Sequence, residues 1–116
     1  AEGAFRRSVE AAAAHLELFP NESRAWNLGA IAQAVLGYDD KAREWAGKAL
    51  EADPEEPLVL YNVACTYSQL GDIDDALDCL DEALTFGWGQ KEWLEQDSDL
   101  DPLRDHPRVQ ALRERL

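Results

Sequence analysis

SRAWNLGAIAQAVLGYDDKAREWAGKALEADPEE, residues 23–56, and PLVLYNVACTYSQLGDIDDALDCLDEALTFGWGQ, residues 57–90, state one pattern twice. A shift of 34 residues lays Ala30 on Ala64, Leu36-Gly37 on Leu70-Gly71, Ala42 on Ala76 and Ala49-Leu50 on Ala83-Leu84. Small residues recurring inside apolar-periodic segments let two helix axes approach closely, and a glycine between the segments supplies the left-handed residue that ends a helix. Each unit therefore reads as a helical hairpin. The first runs from about Arg24 to Leu36, stops at Gly37, and returns from Tyr38 to Ala52, where Asp53-Pro54 breaks it. The second runs from Leu58 to Leu70, stops at Gly71, and returns from Asp72 to Phe86. Acidic residues at the starts of both return helices, Asp39-Asp40 and Asp72 with Asp74, complement the positive end of the helix dipole.

Working outward, one period back from Pro54 lands on Pro20 and from Leu50 on Leu16, so the N-terminal segment is repeat material as well. FRRSVEAAAAHLELF, residues 5–19, has the composition and spacing of an amphipathic helix. It reads as the second helix of a hairpin whose first helix is lacking, as in a fragment of a longer array, which predicts an uncovered apolar face and self-association through residues 5–19. His15 falls where the later repeats have Ala49 and Ala83 and reads as a packing residue between hairpins. Beyond Gly87-Trp88-Gly89 the pattern decays. Lys91 to Gln96 reads as a short helix anchored inward by Trp93 and Leu94, DSDLDPLRDHP as a tight turn, and Arg108 to Leu116 as a closing helix.

A 34-residue period with Trp26, Gly29-Ala30, Ala42, Ala49 and Pro54 in one unit and Leu60, Ala64, Tyr67, Ala76 and Ala83 in the next resembles the tetratricopeptide repeat. Gly29 departs from the family's usual Leu, Gln33 from its Tyr, and Trp88 from its Pro. The resemblance implies an all-α, right-handed superhelical array of about five or six helices, a single domain over 1–116. Its parts would be a truncated repeat at 1–22, repeats at 23–56 and 57–90, and a degenerate repeat with capping helix at 91–116. It implies a scaffold that binds a peptide or helical segment of another protein in a concave groove. On the first hairpin the groove positions are Arg24, Asn27, Leu28, Ile31, Ala34 and Val35. On the second they are Leu58, Tyr61, Asn62, Cys65, Ser68 and Gln69. Members that clamp the C-terminal carboxylate of chaperone tails use Lys and Arg there, whereas this chain has Asn27 and Ile31 at the first pair and Glu92 and Gln96 at the last, which disfavours that ligand. The C-terminal wording EWLEQDSDLDPLRDHPRVQALRERL is similar to tetratricopeptide arrays appended to bacterial multidomain signalling proteins, including cyclases and Ser/Thr kinases. The alternative it implies is a regulatory module of a larger signalling enzyme.

Charge narrows the partner. The chain carries 24 acidic against 11 basic residues, a net of −13. Residues 38–82 alone hold thirteen acids and three bases. A face of this sign disfavours nucleic acid, since phosphate binding needs cations. It fits a basic protein partner, and equally fits solubility or a salty cytoplasm. No apolar run reaches the roughly 18 residues needed to cross a bilayer, so no membrane is expected and the chain reads as cytoplasmic. Cys65 and Cys79 lack metal-ligand spacing and read as buried free thiols. Asp97, Asp99 and Asp101 alternate like the start of a calcium loop, but Pro102 stands where the loop needs Gly and Arg108 where it needs Glu. There is no phosphate cradle and no Ser beside a base, so no metal, no cofactor and no catalysis are expected.

Overall fold

A computed structural model describes residues 2–89 and 91–116, apart from the side chains of Glu2 and Lys91. Among the described residues every element is helical. The α-helices are α1 (Glu2–Leu18), α2 (Ser23–Val35), α3 (Asp39–Ala52), α4 (Pro57–Leu70), α5 (Ile73–Thr85), α6 (Lys91–Gln96) and α7 (Pro107–Glu114), with a 3₁₀ helix at Ser98–Leu103. The seven α-helices fall on the seven segments read from the sequence, one more than the five or six given for the array as a whole, and the 3₁₀ helix is the added element. The DSDLDP stretch is not a bare turn: the Asp97 carboxylate accepts the Asp99 N–H at 3.0 Å and starts the 3₁₀ helix. Pro102 lacks an N–H and keeps the stretch from continuing as an α-helix.

Helix starts keep the period throughout. α2, α4 and α6 begin at Ser23, Pro57 and Lys91, and α3, α5 and α7 at Asp39, Ile73 and Pro107, both series in steps of 34. The 34-residue spacing thus survives where sequence identity to the earlier repeats is lost, although the predicted repeat boundary at Gln90 lies outside the described residues. At the hairpin bends Gly37 and Gly71 take φ of +86° and +81°. The next residue's N–H reaches back in each case, Tyr38 to the Gln33 carbonyl at 2.8 Å and Asp72 to the Tyr67 carbonyl at 2.9 Å. A side chain with a Cβ would strain that geometry.

Where length and composition suggest one domain, the chain divides into two compact units, Ala1–Pro54 and Glu55–Leu116. In the first, α2 packs on α1 and α3 around fully buried Ala30, Ala42, Ala46 and Ala49. A Cβ at Gly29 would run into the Trp45 ring, so the absent side chain makes room for an aromatic from the facing helix. Trp45 meets Trp26 edge-on with centroids 5.1 Å apart. Ser23 Oγ donates to Asp53 Oδ2 at 2.6 Å and ties the start of α2 to the end of α3.

The second unit is built from larger side chains. Leu60, Val63 and Ala64 of α4 and Ala76, Leu77, Leu80 and Ala83 of α5 are fully buried. Leu94, Leu100, Leu103 and Val109 add to the same core from the C-terminal elements, each 1% exposed or less. Burying one such leucine is worth about 1.5–3 kcal/mol, which orders the C-terminal stretch despite its short helices. Arg108 pairs with Asp78 at 2.9 Å and Arg115 with Asp81, fastening α7 to α5.

Candidate functional site

Of the twelve residues assigned to the groove from the sequence, six lie on α2 in the first unit and six on α4 in the second. In the first unit a groove of about 560 Å³ runs between α1 and α2. Phe5, Ser8 and His15 form one side, and Arg24, Leu28 and Ile31 the other. Asn27 is instead buried and Ala34 is half-buried outside the groove wall. His15 is not a packing residue between hairpins: it is exposed, its Nε2 lies 2.9 Å from Glu22 Oε2, and its ring rests 5.0 Å from Phe19. The equivalent Ala49 and Ala83 are fully buried because neighbouring helices cover them.

In the second unit a groove of about 600 Å³ is lined by Leu58, Tyr61 and Asn62 from α4 and by Glu92, Trp93, Gln96 and Asp97 from α6 and its C-terminal end. Only three of the six α4 candidates reach it. Cys65 and Ser68 are buried, and Gln69 donates from Nε2 to the Asp99 carbonyl at 3.2 Å. The 3₁₀ helix packs on α4, so it occupies much of the face that repeat position alone assigns to a ligand. Tyr61 forms the floor: its hydroxyl donates to Asp97 Oδ2 at 2.5 Å, and its ring stacks on Trp88 at 4.9 Å and meets Trp93 at 5.2 Å. Burial first, then the bond to Asp97, pushes the Tyr61 hydroxyl well above the ordinary phenol range, so it stays a donor. Trp93, expected as an inward anchor, is 42% exposed, while Leu94 alone turns inward. The signal for the second wall was in the period: Glu92 and Gln96 are Leu58 and Asn62 shifted by 34.

The closest approach to a metal set among the described residues is Cys65 Sγ with one oxygen each from Asp97 and Asp99, all within 4.8 Å of one another. A cation there would need the thiolate. Burial, then the Asp97 charge, pushes the Cys65 thiol up to about 12, and the Asp97 oxygens already accept from Tyr61 and from the Asp99 backbone. The aspartates are accounted for by capping the 3₁₀ helix and fixing Tyr61. Cys79 is also buried with its thiol pushed up to about 12, again by burial first. Two of the acids on α5 are engaged within the unit, since Asp78 and Asp81 hold Arg108 and Arg115. No helix among the described residues is long and apolar enough to cross a membrane.

Residues 45–78 match the family model described as the tetratricopeptide repeat. A chloroplastic protein of Arabidopsis thaliana is 44% identical over 52 residues, a stretch that makes up 44% of this chain and 16% of that protein. The chain therefore spans only a small part of the length of that relative. Such repeats are typically non-catalytic modules that bind other proteins. Hairpins stepping by 34 residues, glycine-stopped first helices and the family match together identify the chain as an all-α protein carrying the tetratricopeptide repeat.

Proposed function

We propose that the chain is a non-catalytic binding module that holds an extended or helical segment of another protein in the groove of its second unit. The observation that carries this reading is the pair of large apolar side chains on opposite walls of the groove. Leu58 is 49% and Trp93 42% exposed, with Asn62 and Gln96 available for directional hydrogen bonds. Exposed apolar anchors rimmed by polar groups are what a peptide groove needs. The exposed Leu28 and Ile31 beside the first-unit groove offer a separate apolar surface of the same kind.

The test compares proteins retained by the immobilised chain, its Leu58→Ser/Trp93→Ser variant and an Asp74→Asn/Asp75→Asn variant. Both aspartates are exposed on α5. The groove variant is expected to lose the specific partner with helicity unchanged, and the α5 variant to keep it at physiological salt. Retention by the groove variant together with loss by the α5 variant would make the acidic surface the binding site instead.

A further inference from the structure

We infer that the second-unit groove selects a segment presenting a lysine or arginine side chain, whose cation lies against the half-exposed Trp93 ring between the Glu92 and Asp97 carboxylates. This rests on the groove being the binding site, as proposed above, and adds the chemistry of what enters it.

The arrangement follows from the local backbone. The Asp97 N–H donates to the Trp93 carbonyl at 2.9 Å, continuing the turn of α6, so Trp93 and Asp97 stand one helical turn apart on one side. Glu92 precedes Trp93 on the same groove wall. Tyr61 supports this wall from beneath, holding Asp97 through its hydroxyl and the Trp93 ring through its own. The carboxylate and the aromatic ring are thereby presented together, on a base of stacked rings that reaches Trp88. An indole face attracts a cation, a carboxylate pairs with it, and the apolar stem of Lys or Arg has Leu58 opposite to lie against.

The charge balance of the groove favours this occupant over an acidic one. Among the described residues lining it, two are acidic and none is basic. Arg104, whose guanidinium reaches the Asp97 carbonyl at 2.8 Å, is already engaged: it also pairs with Asp101 and donates to the Leu94 carbonyl. Negative potential extends past the groove edge, since Asp99 is raised by burial and then by the charges of Asp97 and Asp101. A carboxylate-bearing segment would enter against that field without a donor of opposite charge on the described wall. The Asp97 oxygens each accept one internal hydrogen bond and retain a further lone pair for an incoming cation.

The experiment titrates the full chain with the blocked peptide acetyl-Ala-Leu-Lys-Leu-Ala-amide and its Arg, Gln and Glu counterparts at the central position, following the Trp93 indole resonance by NMR. The Lys and Arg peptides are expected to bind about tenfold more tightly than the Gln peptide at low salt. That preference should shrink in 0.5 M salt, because an exposed ion pair is screened. Glu92→Gln, a change on an exposed side chain, should remove roughly half of the preference with an unchanged melting temperature. Equal binding of the Gln or Glu peptide overturns the cation site while leaving a groove that binds apolar segments. Absence of any shift at Trp93 with all four peptides overturns the groove reading itself.

Discussion

Helices α2 and α4 hold the same place in successive repeats, yet one stays open and the other is covered. Ile31 of α2 is 38% exposed and Ala34 half-buried, while their equivalents on α4, Cys65 and Ser68, are 6% and 1% exposed. What differs is the neighbouring element: the 3₁₀ helix lies along α4 and brings Leu100 and Leu103 into the core of that unit. Position within a repeat names which residues share a face, but in the second unit a later segment of that same unit decides how much of the face meets water. The two cores follow the same division. The core of the first unit relies on alanines and the pair of Trp26 and Trp45, that of the second on leucines and a cluster of Trp88 and Trp93 about Tyr61.

The sharpest way to break the comparison is to remove the cover. Leu100→Ala or Leu103→Ala is expected to destabilise the second unit by about 2–5 kcal/mol, because each side chain is buried and leaves a cavity. Denaturant unfolding measures the loss, and thiol labelling under native conditions tests its place. Cys65 should become reactive faster than Cys79 in these variants, and equal acceleration of both would mean general loosening rather than uncovering of α4. Next in size is Gly29→Ala in the first unit, which forces the Trp45 ring aside and is expected to cost about 1–3 kcal/mol by overpacking. A changed near-ultraviolet signal from the Trp26 and Trp45 pair should accompany it, and an unchanged melt and spectrum would show that the ring moves freely.

Smaller effects come from the tether each unit uses to close its hairpins. Ser23→Ala removes the bond to Asp53, and Tyr61→Phe removes the bond to Asp97, each for about 1–2 kcal/mol in chemical denaturation. The comparison sharpens if Tyr61→Phe also loosens Trp93, seen as increased mobility of its indole, while Ser23→Ala leaves Trp93 untouched. Movement of Trp93 in both variants would contradict local action of the tethers.

The hairpins were legible in sequence because their signals are local: small residues at matched positions, a glycine after each first helix and acids at each second start. Ala30, Ala42, Ala64 and Ala76 are all fully buried, as close helix approach requires. At the C-terminus the two short helices were legible but the element between them was not, since Leu94, Leu100 and Leu103 are spaced by a helix interrupted after Gln96 rather than by one continuous helix. Half of the inner face was misread for a physical reason that no single residue announces. Cys65, Ser68 and Gln69 are compatible with a groove by type and repeat position, and are removed from it by a segment thirty residues further along the chain. Gly29 carried the opposite lesson, as an apparent loss from the repeat pattern that Trp45 fills from across the hairpin.

The smallest predicted effect concerns the covering segment's own charge. Asp99 has its carboxyl raised above the usual range, first by burial and then by the neighbouring Asp97 and Asp101 charges. A carboxyl that is harder to ionise in the folded state than in the unfolded one opposes folding when ionised. The penalty is therefore fully present well above the raised value, shrinks as pH falls through it, and is gone below the unfolded value of about 3.9. Asp99→Asn should raise the melting temperature slightly at pH 7, and the two melting curves should converge as the pH is lowered toward 3. The backbone N–H and carbonyl of Asp99, which bond Asp97 and Gln69, are retained in the variant. If the variant melts lower than the parent at pH 7, the Asp99 carboxylate stabilises the cover of α4 rather than straining it, and crowding of like charges is not what limits that contact.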